Sequence, residues 1–232
     1  MLLDGRRVCA GCPGISERSR GSARKDSDKW ETAFDRPRAR SYKMTFGAVL
    51  LAGGESRRMG NDKAAVLFRG TPLWQVQLET LQKLDPKEIF VSARIDPSWR
   101  PDDVLFIADV PPSRGPLSGL AASMTRMRTT HLLALAIDMP WMTNKYLEFL
   151  CAQVEPGCGV LPKIRDRAEP LAAIYPRQAA IEIGRALAGT DFSLQSVTCD
   201  LVAVGKLRVV PVAQQKEKFF RNINELSDLK SR

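Results

Sequence analysis

Two adjacent glycines, Gly53 and Gly54, are followed within ten residues by Arg57, Arg58 and Lys63. Glycine has no Cβ, so a backbone carrying it can approach a phosphate closely. Free backbone N–H groups in such a loop, and at the start of a following helix, attract anions. Arginine and lysine add full charges and charge-assisted hydrogen bonds. The residues from Leu51 to Lys63 therefore suit a loop that holds a polyphosphate. The plain alternative is a Gly-Gly turn before a solvated basic helix face. Neither of the two common phosphate loops is present. Met59-Gly60 runs into Asn61-Asp62-Lys63 rather than Gly-Lys-Ser/Thr, and Gly53 and Gly54 leave no Gly-x-Gly spacing.

A second chemical group stands at Asp138, after the apolar run His131–Ile137 and before Met139-Pro140. A carboxylate at the tip of a buried strand suits a hard cation such as Mg²⁺, which takes one or two carboxylates, phosphate oxygens and water. A turn or helix N-cap aspartate is the equal alternative at that position. Asp109, in Ala-Asp-Val-Pro-Pro, reads alone as a turn residue. His131 is the single histidine and opens an apolar strand, which favours a structural role. One histidine leaves no Ser/His/Asp or Cys/His arrangement and no His-based metal site. Metal, arginine, lysine and positioning remain, which is the recipe of phosphoryl and nucleotidyl transfer.

The elements that must position these groups are legible from periodicity. Phe46–Leu51, Glu88–Ala93, Asp103–Ala108 and His131–Ile137 read as strands. Leu73–Leu84 carries apolar residues at helical spacing, and Gly115–Gly119 is a turn into a helix near Leu120–Met127. Further on, Asn144–Val154 and Arg177–Leu187 are expected helices. Gly159–Leu161, Leu171–Tyr175 and Val202–Val210 are expected strands, with a last short helix over Asn224–Lys230. Strands separated by helices imply an α/β fold with a mostly parallel sheet and helices on both faces. Ligands in such folds sit beyond the carboxyl ends of the strands. The Gly-Gly loop, Asp109 and Asp138 each follow a strand, as that rule requires.

Of the formal net charge of +9, five units lie in residues 1–43, where eleven Arg and Lys face six Asp and Glu. That segment is rich in Arg, Ser, Gly and Asp without a hydrophobic period, and it is expected to be a disordered basic extension. Met44 then opens the domain, residues 44–232. Binding of an acidic partner or of nucleic acid by the extension is the alternative, but no nucleic-acid module or aromatic platform is visible. With 44% hydrophobic residues the remainder can bury a sizeable core. Five cysteines, an odd number, and the lack of a secretory apolar stretch point to reduced thiols in the cytoplasm. Cys9-x-x-Cys12 has no second pair at zinc-like spacing. No apolar run reaches the roughly 20 residues needed to span a membrane.

Together these motifs resemble the molybdenum cofactor guanylyltransferases. The resemblance rests on Leu51-Ala52-Gly53-Gly54-x-Ser56-x-Arg58-Met59-Gly60-x-Asp62-Lys63 and on Gly70-x-Pro72-Leu73. It continues through Gly115-Pro116-Leu117-x-Gly119-Leu120, Asp138-Met139-Pro140 and Phe220-x-Asn222-Ile223-Asn224. It runs in order from about residue 46 to about residue 229 and leaves residues 1–43 without a counterpart. It implies a Rossmann-like sheet and transfer of GMP from GTP to the phosphate of molybdenum-molybdopterin. The products would be the guanine dinucleotide cofactor and pyrophosphate.

The resemblance also assigns roles. Leu51, Ala52, Gly53 and Gly54 would hold the nucleotide, with Arg58 and Lys63 on its phosphates. Asp109 would bind the nucleotide, Asp138 both Mg²⁺ and nucleotide, and Asn222 and Asn224 the pterin side. Arg58, Lys63 and Asp138 would be the catalytic set. Partners implied are GTP, molybdenum-molybdopterin and cofactor-receiving or molybdenum-inserting proteins, with no membrane and no nucleic acid. Two departures stand out: Ser92 where the family often has asparagine, and Glu225-Leu226-Ser227 in place of the usual Thr-Pro-Glu. Gly53-Gly54 resembles the guanylyl members, whereas cytidylyl relatives tend to carry Ala-Gly. Cytidylyl transfer, nucleotidyl transfer to a sugar or alcohol phosphate, and a non-catalytic nucleotide-binding protein are the alternatives.

Overall fold

A computed structural model of the chain describes residues 44–53, 63–109, 112–223 and 228. The expected disordered extension, residues 1–43, lies outside the described residues, as does the expected last helix apart from Asp228. In chain order the strands are β1 (Phe46–Leu51), β2 (Leu67–Phe68), β3 (Thr71–Pro72), β4 (Ile89–Ala93), β5 (Leu105–Ala108) and β6 (His131–Ala136). They continue with β7 (Gly159–Ile164), β8 (Arg167–Ala168), β9 (Ala172–Pro176) and β10 (Leu207–Pro211). The helices are α1 (Leu73–Gln82), α2 (Pro116–Arg126), α3 (Asn144–Cys151), α4 (Ala180–Ala188) and α5 (Leu194–Ala203).

The main sheet runs β10-β7-β9-β6-β1-β4-β5, with β8 paired to β7. β1 is parallel to both β4 and β6, β5 is parallel to β4, and β10 is parallel to β7. β9 runs antiparallel between β6 and β7, and the β7–β8 pair is antiparallel. The sheet is thus mostly parallel. Its interior strands read as unbroken apolar runs because both faces are covered: every residue of β6 is buried.

Alternate residues of each strand enter two separate cores. Ala48, Leu50, Val91, Leu133 and Leu135 face α1 and α3, where they meet Leu73, Leu78, Leu81, Leu147 and Leu150. Val49, Leu51, Phe90, Leu132 and Ala134 face the other way, toward Leu117 and Leu120 of α2, Ile183 of α4 and Val197 and Leu201 of α5. Helices therefore lie on both faces, as expected.

Local chemistry sets the element ends. Pro116 occupies the first turn of α2, where its missing N–H costs nothing, and Gly115 before it takes φ +65°. Arg69 and Gly70 take φ +53° and +86° and close the two-residue β2–β3 hairpin that delivers the chain into α1. That hairpin was not expected from the sequence. Nor was α5: the expected strand Val202–Val210 is wrong at its start. Val202 and Ala203 finish a helix whose buried face is Val197, Thr198 and Leu201. The helix ends at Gly205, φ +71°, whose N–H bonds to Val202 O at 3.0 Å, and only then does β10 begin.

His131 opens β6 at the amino-terminal rim, paired with Phe46, and is almost fully buried, with Nδ1 3.0 Å from Thr130 Oγ1. Burial disfavours the charged imidazolium and holds its pKa below the usual value. The unfolded chain then binds the proton more readily, so the stability from neutral His131 is present above about pH 6.5 and is lost as pH falls below it. Urea unfolding midpoints should drop between pH 7.5 and pH 5.5 in the natural protein, and this drop should shrink in His131→Gln.

Candidate active site

Because β6, β1, β4 and β5 are mutually parallel, their carboxyl ends share one rim. Leu51 ends β1 at that rim, and the chain is stitched to both neighbours there. Ala52 N donates to Ser92 O at 2.9 Å, and Ile137 N donates to Leu51 O at 3.2 Å. Asp138 follows β6 and Asp109 follows β5, three places away in the strand order. At the usual interstrand spacing these two strand tips stand roughly 14 Å apart. Ala52 and Gly53, directly after β1, stand between them.

Lys63 opens a short 3-10 helix, Lys63–Ala65, and returns to this rim. Its Nζ lies 2.8 Å from Asp138 Oδ2, and the two side chains are 22% and 19% exposed. The other carboxylate oxygen, Asp138 Oδ1, is buried without a hydrogen-bond partner. A buried unsatisfied oxygen is costly and marks a place where a donor or cation belongs. Among the described residues no three His, Cys, Asp or Glu side chains could hold a metal ion together. A cation at Asp138 would take its remaining ligands from phosphate and water, which is the habit of Mg²⁺. The residues present fit that ion.

The backbone around Asp138 is held from two further directions. Ile223 N donates to Asp138 O at 2.9 Å. Ile223 and Phe220 are buried, Phe220 edge-on to Tyr146 of α3 at 5.5 Å, while Asn222 between them is exposed. The segment from Phe220 to Ile223 is thereby pinned beside Asp138. From α1, the buried Gln77 donates through Nε2 to Ala136 O at 3.3 Å. Asp109 is 8% exposed; Oδ1 accepts from Ser92 Oγ at 2.9 Å and Oδ2 from Ser113 Oγ at 3.2 Å. A Cβ on Gly53 would stand 3.0 Å from Asp109 Oδ2, so this carboxylate lies against the bare backbone of the loop after β1.

Of the residues singled out in the sequence, Leu51, Ala52, Gly53, Lys63, Asp109, Asp138 and Asn222 gather at this rim. Gly54, Arg58 and Asn224 lie outside the described residues. Ser92, Ser113 and Gln77 were not foreseen as supporting groups. The available signal was a polar side chain inside an apolar stretch, as Ser92 is in Ile89-Phe90-Val91-Ser92-Ala93. His131 sits at the opposite rim and takes no part.

A mostly parallel α/β sheet presenting Gly53, a lysine and two carboxylates at its carboxyl rim has the layout in which such folds hold their ligands. Residues 48–201 match the MobA-like NTP transferase domain, and the chain belongs to that nucleotidyltransferase family. A probable molybdenum cofactor guanylyltransferase of Opitutus terrae is 33% identical over 185 residues, spanning 78% of this chain and 91% of that protein. One from Methanosarcina acetivorans is 29% identical and spans 88% of this chain and 95% of that protein. The crystal structure of molybdopterin-guanine dinucleotide biosynthesis protein A from Archaeoglobus fulgidus superposes with a TM-score of 0.65 at 28% identity, covering 79% and 95% of the two chains. Among the described residues no helix is long and apolar enough to cross a membrane.

The Lys63–Asp138 pair gives a direct test of the site's electrostatics. Lys63→Met leaves the Asp138 carboxylate half-buried and unpaired, and should lower unfolding stability by about 1–2 kcal/mol. Adding Asp138→Asn to that variant should restore most of the loss in urea unfolding.

Proposed function

We propose that the protein transfers GMP from GTP to the phosphate of molybdenum-molybdopterin, releasing pyrophosphate. The observation that carries this reading is the Lys63–Asp138 pair at the carboxyl rim, with the Gly53 loop beside it. The names of the relatives supply the acceptor and the base. In the absence of nucleotide the two charges neutralise each other. A triphosphate would draw Lys63 Nζ onto its oxygens, and Asp138 would exchange the ammonium for Mg²⁺. The orphaned Oδ1 supports that exchange, because it offers a second acceptor already stripped of water. When bound there, Mg²⁺ would supply charge compensation for the phosphates and the developing pyrophosphate.

The chain's own residues then provide orientation and electrostatics, which carry most of the barrier lowering in such transfers. Leu51, Ala52, Gly53 and Gly54 cradle the nucleotide through backbone groups. Lys63 and Arg58 offset charge growing on the leaving pyrophosphate. The acceptor's phosphate oxygen attacks the α-phosphorus in line, opposite the leaving group. No general base is required, because a phosphate monoester is already largely ionised at neutral pH. Asn222 and Asn224 serve the pterin side, a role that fits the anchoring of Ile223 to the Asp138 carbonyl. Residues 44–232 form the catalytic domain and residues 1–43 are dispensable. The protein works in the cytoplasm, where Cys151 and Cys158 remain the free thiols they are here.

With Mg²⁺ and molybdenum-molybdopterin, pyrophosphate should be released from GTP and not from CTP. Release from CTP alone would move the protein to cytidylyl transfer, and release from neither would sink the catalytic reading. Asp138→Asn and Lys63→Met should each cut turnover on the order of a hundredfold or more. The chain started at Met44 should keep full turnover.

A further inference from the structure

Asp109 is a carboxylate without a cationic partner among the described residues, yet it is 8% exposed and closely fitted. Ser92, only 1% exposed, spends its hydroxyl hydrogen on Asp109 Oδ1 at 2.9 Å. Room for this pair exists because Gly119 of α2 has no side chain. A Cβ there would stand 2.4 Å from Ser92 Oγ and 3.2 Å from Asp109 Oδ1. Glycine in the middle of a helix is destabilising relative to alanine. At position 119 that cost has a local reason: the helix passes directly over a hydrogen-bonded hydroxyl and carboxylate.

An ionised carboxylate only accepts hydrogen bonds, and it repels phosphates. It therefore suits the nucleoside end of a ligand whose phosphates meet Lys63. Strand order agrees, since Asp109 stands on the far side of β1 from Asp138. The groups it can accept from are N–H donors of a base or O–H donors of a ribose. Two hydroxyls already occupy one position on each oxygen, so the remaining lone pairs have a set direction.

We propose that Ser92 is a positioning residue for nucleoside recognition: it aims the Asp109 carboxylate at the nucleoside's hydrogen-bond donors, and Gly119 is bare to admit that pair. This rests on the nucleotide-binding reading given above. Ser92 does not touch the ligand; it acts through Asp109. The asparagine common at this position in the resembled family is replaced here by a shorter side chain that reaches Asp109 instead.

Calorimetric titration of the full chain with Mg²⁺ and no acceptor tests this. Ser92→Ala should weaken GTP binding about tenfold, the scale of one hydrogen bond to a charged group. Inorganic tripolyphosphate should bind both proteins within twofold, because it engages only the phosphate end. Gly119→Ala should weaken GTP as much as Ser92→Ala does. The double variant should be no weaker than either single one, since both changes break the same contact. ATP and 2′,3′-dideoxy-GTP identify the donor. If guanine N1–H or N2–H₂ supplies it, binding of ATP, which lacks both, is indifferent to Ser92→Ala; if the ribose does, dideoxy-GTP binding is. Indifference of neither overturns the proposal. So do an unchanged GTP affinity in Ser92→Ala, an equal loss for tripolyphosphate, or multiplying losses in the double variant. Natural protein that binds tripolyphosphate but not GTP would instead remove the nucleotide reading beneath it.

Discussion

Parallel pairing of β1 with β4 on one side and β6 on the other is the constraint on which the site depends. It brings the ends of separate chain segments to one rim and orients them alike. The pairing is enforced from both faces. Ala48 and Leu50 cannot leave one core, nor Val49 and Leu51 the other, and a one-residue slip would exchange the two sets. Register at the buried middle of β1 therefore fixes where Leu51 stops and where the Gly53 loop starts. The bonds from Ala52 to Ser92 and from Ile137 to Leu51 extend that register past the last strand residues. The start of the loop proposed to meet a phosphate is thus set by hydrophobic packing well below it.

Two carboxylates share the rim and live under different conditions. Asp138 has a lysine on one oxygen and nothing on the other. Asp109 has a hydroxyl on each oxygen and no cation among the described residues. The first is arranged for charge exchange, since its partner is a flexible ammonium that a phosphate can attract. The second is arranged to stay where it is, held by short side chains from β4 and the loop before α2 and confined by Gly53 and Gly119. In the proposed reaction the same residue type would serve different ends of one ligand because the surroundings differ, not the chemistry.

How much of this was legible in the sequence follows from the same physics. Strands buried on both faces, such as β1 and β6, announce themselves as short apolar runs, and the polar residues that end them mark the rim. Lys63 and Asp138 were both readable as types, but their 2.8 Å pairing across 75 residues was not. Ser92 was visible as a polar residue in an apolar strand and as a departure from a family pattern, but not its fit against a glycine 27 positions later. The β2–β3 hairpin was hidden since Arg69, a residue that rarely takes positive φ, occupies a turn position that usually favours Asn or Gly. Val202 misled because an apolar residue closing a helix and one opening a strand look the same until Gly205 is recognised as the stop.

The division of labour along the chain explains why this fold tolerates so much change. The groups proposed for the nucleotide side come from Gly53 and the ends of β4, β5 and β6, strands rooted in the two cores. The segment around Asn222, proposed for the acceptor side, is rooted by Phe220 and Ile223. Phe220 and Ile223 come from a distant part of the sequence yet enter the same core as Ala48, Leu50 and Leu133. A 4-diphosphocytidyl-2C-methyl-D-erythritol synthase from Anaerococcus prevotii shares this fold at a TM-score of 0.62 with only 12% identity. A sheet whose cores are filled by generic apolar residues places few demands on which residues those are. The demands fall instead on the few groups at the rim, where one backbone hydrogen bond, from Ile223 to Asp138, ties the segment around Asn222 to the end of β6.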